Sequence, residues 1–205
     1  EEFIYNSDEY SVGHSTLTPD GRTMYFTSNM PGGFGETDIW KTNLENGEWG
    51  TPVNLGENVN TFDKEMFPSI SPNGDLYFAS KGHNGFGGLD IFVAYKDGDE
   101  FMTPVNMGYP INTRFDDFSF TIMEGNKLGY FSSNRVGGKG SDDVYKVEIL
   151  KQIEKPVEKE DFITETVDVN SEELTPEKNS DEISNNEMIK LGDDVVEHMD
   201  TETNN

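Results

Sequence analysis

Six polar side chains carry most of the binding chemistry this sequence offers. His14, Glu65 and Asp117 fall at or just before the first strands of successive repeated units, and Asp63, Arg114 and Asp116 lie on the connectors leading into those strands. An imidazole, a guanidinium and several carboxylates around one opening could hold a peptide, a glycan or a cation. The bland alternative is a solvated rim that binds nothing. Catalysis finds less support. The three histidines, His14, His83 and His198, accompany no Gly-x-Ser-x-Gly nucleophile motif. A carboxylate pair for glycosidic cleavage stays open, because separation in sequence does not set distance in space. Acidic pairs are nevertheless common by chance in a chain with 40 Asp and Glu residues.

A second set of residues recurs. Asp38, Asp90 and Asp143 each follow a glycine-rich loop. Calcium is one reading, but each copy offers only one or two carboxylates at a spacing that fits no calcium loop. Asp in such a place commonly caps nearby backbone N–H groups, which is the preferred reading. The glycine pairs resemble phosphate-cradling loops, yet no helix follows and no Lys-Ser/Thr closes the motif. No catalytic residue, metal or cofactor is expected. Trp40 and Trp49 could stack on sugars; they align with Phe92 and Tyr145, and with Phe101, which favours packing.

The elements that position these residues come from an internal repeat. Leu17-Thr18-Pro19-Asp20-Gly21 recurs as Ile70-Ser71-Pro72-Asn73-Gly74 at an offset of 53, and Thr51-Pro52-Val53-Asn54 as Thr103-Pro104-Val105-Asn106 at 52. Asn60-Thr61 recurs as Asn112-Thr113, and a third copy aligns Tyr130-Phe131-Ser132-Ser133 with Tyr77-Phe78-Ala79-Ser80. Within each copy, Pro-Asp-Gly or Pro-Asn-Gly ends a first strand. Aromatic strands follow at Thr23 to Ser28, Asp75 to Ser80 and Lys127 to Ser133. Third strands open at Asp38, Asp90 and Asp143, and fourth strands run from Glu48 to Val53 and from Glu100 to Val105. The third copy has no convincing fourth strand. Four antiparallel strands in roughly fifty residues is the blade of a β-propeller.

The expected fold is therefore all-β: a partial propeller of about three four-stranded blades with a disordered acidic C-terminal tail. The blades span about 14–65, 66–117 and 118–150. Residues 1–13 read as a connector from a blade upstream, with Asn6-Ser7 standing as Asn60-Thr61 does. Closed propellers have about four to eight blades, so the chain reads as part of a larger one, with self-association of a three-blade arc the lesser option. Glu1 is not an initiator Met, which suggests processing or truncation.

Charge narrows the partners. The chain has 15 basic and 40 acidic residues, a net charge of -25, which disfavours nucleic acid and anionic lipid. It has no cysteine and no run long and apolar enough for a membrane-spanning helix. Residues 151–205 hold 5 basic and 17 acidic residues and a single aromatic, Phe162, too little apolar surface to offset the entropy of ordering. One marginal helix is conceivable there, with Ser184 and Glu187 at capping-box spacing before Met188, Leu191, Val195 and Met199.

The copies resemble the WD-repeat-like blades of TolB-type proteins. The closer resemblance is to the propeller of OmpA-family, peptidoglycan-associated lipoproteins of Bacteroidetes, including those of type IX secretion and gliding. Its most specific residues are Ser11-Val12-Gly13-His14, Thr51-Pro52-Val53-Asn54-Leu55-Gly56, Gly87-Gly88-Leu89-Asp90-Ile91-Phe92, Asp116-Asp117-Phe118 and Gly129-Tyr130-Phe131-Ser132-Ser133-Asn134-Arg135. It covers nearly all of 1–150 and none of the tail. The family's small carboxypeptidase-regulatory-like domain and OmpA-like anchoring domain have no counterpart in these residues. The resemblance implies a non-enzymatic scaffold in the periplasm, associated with the outer membrane, whose partners are envelope proteins of a secretion or peptidoglycan-associated complex. The contact surface would be the loops joining blades, including residues 56–66 and 108–117. The alternatives are a glycan-binding or glycan-cleaving propeller, and the propeller domain of a peptidase.

Overall fold

A computed structural model of the chain describes residues 2–149, apart from residues 124 and 126. The acidic segment 151–205, with its candidate helix, and the Lys155-Pro156-Val157 echo of the repeat lie outside the described residues. Everything described is strand, turn or loop, and the sheet curls as a half-barrel.

The first repeat contains β1 (Val12–Leu17), β2 (Thr23–Ser28), β3 (Asp38–Glu45), β4 (Glu48–Trp49) and β5 (Val53–Asn54). The second contains β6 (Glu65–Ile70), β7 (Leu76–Ser80), β8 (Asp90–Ala94), β9 (Lys96–Asp97), β10 (Glu100–Phe101) and β11 (Val105–Asn106). The third has β12 (Asp117–Ile122), β13 (Leu128–Ser133) and β14 (Asp143–Glu148). Each repeat is an antiparallel meander in chain order, and the second and third strands pair along their length, as in Ser28↔Asp38, Ser80↔Asp90 and Ser133↔Asp143.

Local chemistry explains the strand ends. In the turn after β1, Gly21 N–H donates to Thr18 O at 2.8 Å and Asp20 accepts from the Thr18 hydroxyl and the Arg22 N–H. Gly21 and Gly74 take φ of 68° and 89° in corresponding turns, where a Cβ would be strained. Third strands open at the expected Asp residues. The expected continuous fourth strands are instead broken into β4 and β5, and into β10 and β11. Pro52 and Pro104 stand in the gaps and have no N–H to give a ladder. Among the described residues, the third repeat has three strands.

Neighbouring repeats pack face to face, and alternation along the strands assigns each side chain to one of two cores. Leu76, Phe78, Phe92 and Ala94 join Tyr25, Ile39 and Val59 between the first and second repeats. Tyr77, Ile91 and Val93 point the other way, joining Phe120, Ile122, Phe131 and Val147. Every residue of β7 and β8 is buried in consequence. The first strands of adjacent repeats lie against one another. Each carries a bulge, and His14, Phe67 and Ser119 take φ of 49°, 53° and 56° there. Such left-handed non-glycine residues cost on the order of 1–3 kcal/mol each and persist only where packing holds them.

Candidate functional site

The connector between repeats is the common address of the candidate residues, and a threonine organises it. Thr61 accepts the Asp63 N–H at 3.2 Å, and Thr113 accepts that of Phe115 at 3.2 Å, so each connector turns sharply before its next strand. Four residues on, the first strand opens with the acid.

Glu65 is fully buried. Its carboxylate accepts the Thr61 N–H at 2.7 Å, the Thr61 hydroxyl at 2.8 Å and the Ser80 hydroxyl at 2.7 Å. Burial pushes its carboxyl above the ordinary carboxylate value, and those three bonds and the nearby His83 pull back. Asp117 is the matching residue, also fully buried, and accepts the Thr113 N–H at 2.6 Å and its hydroxyl at 2.9 Å. Its other oxygen meets Arg135 Nη2 at 2.6 Å. Glu65 and Asp117 were expected at a channel rim; they are instead internal staples with both oxygens engaged, because neighbouring sheets close over the strand openings.

Arg135, seen from the sequence only inside a motif, is the most heavily engaged side chain here. It donates to Pro110 O at 3.0 Å, Ile111 O at 2.6 Å and Ser133 Oγ at 3.0 Å. Its guanidinium also lies 4.9 Å from the ring centroids of both Phe131 and Tyr145. In the second repeat the corresponding work falls to His83, whose Nε2–H donates to Val59 O at 2.9 Å while the ring packs on Phe78 and Phe92.

The remaining candidates divide. Asp63 serves through its backbone, with its carbonyl accepting the Glu36 N–H at 2.8 Å, while its carboxylate lies 3.9 Å from Lys81 Nζ. Asp116 accepts the Leu89 N–H at 2.9 Å and the Asn134 side-chain amide at 3.0 Å. Arg114 is exposed, with its guanidinium over the Phe115 ring at 5.0 Å. His14 does not match Glu65 and Asp117. Strand pairing puts Val12 opposite Ser28 where Glu65 faces Ser80, so His14 sits two residues inside β1, at the bulge. There it stacks on Phe67 at 4.1 Å, and Phe67 lies 5.1 Å from Phe118, an aromatic row crossing all three first strands. Partial burial lowers the His14 imidazole.

Two features had only been landmarks in the sequence. Asn60 and Asn112 are buried, and each uses its amide to bridge the backbone N–H and C=O of one third-strand residue: Asn60 with Ile39 N–H at 2.8 Å and Ile39 O at 3.0 Å, Asn112 with Ile91 at 2.7 Å for both. The side chain thus stands in for a strand. Gly35 and Gly87 let the glycine-rich loops meet these connectors: an added Cβ would sit 2.3 Å from Thr61 O or 2.4 Å from Phe115 O. The Asp residues that close those loops cap them as expected. Asp38 accepts from the Phe34 and Gly35 N–H groups, Asp90 from Phe86 and Gly87, and Asp143 from Lys139 and Gly140. Burial raises the Asp90 carboxyl, against the pull of the Gly87 and Phe86 N–H groups. Trp40 is buried, with its indole N–H on Ser28 O at 3.2 Å, which is the packing role its alignment suggested.

Chemically, then, Glu65 and Asp117 fasten the connectors to the sheets, and Asp38, Asp90 and Asp143 cap their own loops. Among the described residues, no group of three or more His, Asp or Glu side chains could hold a metal ion. Four large aromatics of the loops, Phe34, Phe86, Phe62 and Tyr109, are exposed. No known protein-family model matches the chain, and no curated protein matches it.

Proposed function

We propose that the chain is a partial β-propeller of about three blades, residues 14–65, 66–117 and 118–150, that works as a non-enzymatic protein-interaction scaffold. Three meanders in chain order, packed face to face with their first strands side by side, support the propeller geometry. In the wider reading it belongs to an OmpA-family envelope protein, periplasmic and outer-membrane-associated, in a secretion- or peptidoglycan-linked complex. The sequence motifs of the first 150 residues are what support that placement.

One observation carries the interaction reading. The connectors end in two buried acids, Glu65 and Asp117, held in internal bonds, and turn large aromatics outward, with Phe62 at 78% and Tyr109 at 76% exposure. Exposed aromatics on rigidly held loops are good anchors, since little freedom is lost when they dock. The surrounding negative charge would speed encounter with a basic partner and make it salt-dependent. Doubly substituted Phe62→Ser, Tyr109→Ser protein should fold normally and lose capture of envelope proteins that wild-type protein retains, by about tenfold or more in affinity. Hydrolysis of any substrate in a glycan and peptide panel by the purified chain would overturn the reading.

A further inference from the structure

The junction between the second and third repeats keeps a positive charge that the fold does not use. The glycine-rich loop of the second repeat is pinned on two sides. Asp90 accepts the Phe86 and Gly87 N–H groups at 3.0 Å each, and at Gly87 an added Cβ would sit 2.7 Å from Arg114 C on the connector. Phe86, 59% exposed, is thereby held on a loop that abuts the Arg114 backbone. The connector is as firmly placed: Arg135 donates to Pro110 O and Ile111 O, and Asp117 accepts the Thr113 N–H and hydroxyl. Both elements lie between described repeats and not at either edge of the described fold.

Cations near the connectors otherwise meet carboxylates: Lys64 meets Glu36 at 3.1 Å, Lys81 meets Asp63 at 3.9 Å and Arg135 meets Asp117 at 2.6 Å. Arg114 is the exception. Among the described residues no carboxylate pairs with it, and its guanidinium lies over the Phe115 ring instead. Asp116, two residues on, has both oxygens engaged, one by the Leu89 N–H at 2.9 Å and the other by the Asn134 amide at 3.0 Å. Arg114 is exposed, so its N–H fork stays open to solvent. In the first junction the aligned slots, at an offset of 52, hold Phe62 in place of Arg114 and Phe34 in place of Phe86. One scaffold thus presents two aromatics at the first junction and an aromatic with a cation at the second, so the repeat's own packing does not require the guanidinium.

We infer that Phe86 and Arg114 form a docking surface for a segment of a partner protein in which one acidic side chain stands next to an apolar one. The carboxylate takes the Arg114 fork in a bidentate pair, and the apolar neighbour covers Phe86. Charge complementarity selects this occupant, and the chain's net charge of -25 limits it. A segment rich in acids is repelled at a distance, so the acid is a single one among neutral or basic residues. The inference names the partner chemistry of the interaction reading and rests on that reading.

A phage-displayed library of random short peptides, selected on the full 205-residue chain, tests this. Selected peptides should carry one Asp or Glu beside an apolar residue more often than the unselected library does. Arg114→Gln and Phe86→Ser, both at exposed positions, should keep the wild-type near-ultraviolet spectrum and weaken a selected peptide, Arg114→Gln by about tenfold or more. Selection on Arg114→Glu protein should turn the preference toward Lys and Arg, which a merely structural role for Arg114 would not do. Failure to select any peptide, selection without acidic preference, or wild-type affinity in either Arg114→Gln or Phe86→Ser protein overturns the inference. Any of these results found together with envelope-protein capture that depends on Phe62 and Tyr109 leaves the interaction reading standing.

Discussion

The second and third sheets have nearly the same sequence plan and opposite surroundings. In the second, β7 and β8 are buried from end to end. In the third, β14 alternates, with Val144 open where Ile91 is closed. The middle sheet is held by apolar cores on both faces; among the described residues the third has one such core and concentrates polar bonds around Arg135. The difference teaches that these repeats draw stability from their neighbours rather than from within, as expected for quasi-one-dimensional arrays. It also separates two uses of a buried acid: Glu65 is satisfied mainly by hydroxyls, Asp117 by a cation.

The sharpest way to break the comparison is Arg135→Ala. It would leave Asp117 buried without its counter-charge and free the carbonyls of Pro110 and Ile111. Removing one partner of a buried pair costs about 3–5 kcal/mol. Lys64→Ala, which removes an exposed pair with Glu36 at 3.1 Å, should cost about 0–1 kcal/mol. Urea unfolding of the two variants checks this, and similar losses would mean that the Arg135 cluster is not the third sheet's anchor. Arg135→Lys should rescue little, because an ammonium cannot reach the guanidinium's divided set of acceptors.

Next in size is the aligned pair Ile91→Ala and Val144→Ala. Truncation at Ile91 opens a cavity between two sheets and should cost about 2–5 kcal/mol. In dilute solution the same change at Val144 should fall within about 0.5 kcal/mol. Equal losses would show that Val144 is covered in the isolated chain, and would erase the contrast between the sheets.

How far the sequence foretold this varies with the range of the interaction. The openings at Asp38, Asp90 and Asp143 were readable because the loop and its cap lie within four residues. The expected fourth strands run through Pro52 and Pro104, and the Thr-Pro step that marks the repeat also removes a ladder donor and breaks each strand in two. The positions of Glu65 and Asp117 are legible in the sequence, and their burial is not. Thr61 and Thr113 stand four residues before them and were visible; Ser80 and Arg135 are 15 and 18 residues away and meet them only through sheet pairing. His14 does not belong with the acids: the repeat offset of 53 aligns Val12 with Glu65 and His14 with Phe67, and the same bulge recurs in all three first strands. The paired amides of Asn60 and Asn112 are the clearest missed function: a recurring Asn-Thr ahead of each first strand was the available sign.

The smallest effect is a pH dependence set by the buried acid of the second sheet, Glu65. Burial raises the Glu65 carboxyl above its ordinary value of 4.5. The folded chain therefore binds this proton more tightly than the unfolded chain does, and between the two values it holds the extra proton. By linkage, the stability Glu65 contributes is fully present below 4.5 and is lost as pH rises through its raised folded value. Glu65→Gln has nothing to titrate, so the wild-type advantage over this variant should shrink as pH climbs from the acid side of 4.5 toward neutrality. Urea midpoints for both proteins across that range measure it. An advantage that grows with pH would mean that the bonds from Thr61 and Ser80 and the nearby His83 outweigh burial, and the distinction between the two sheets would then rest on packing alone.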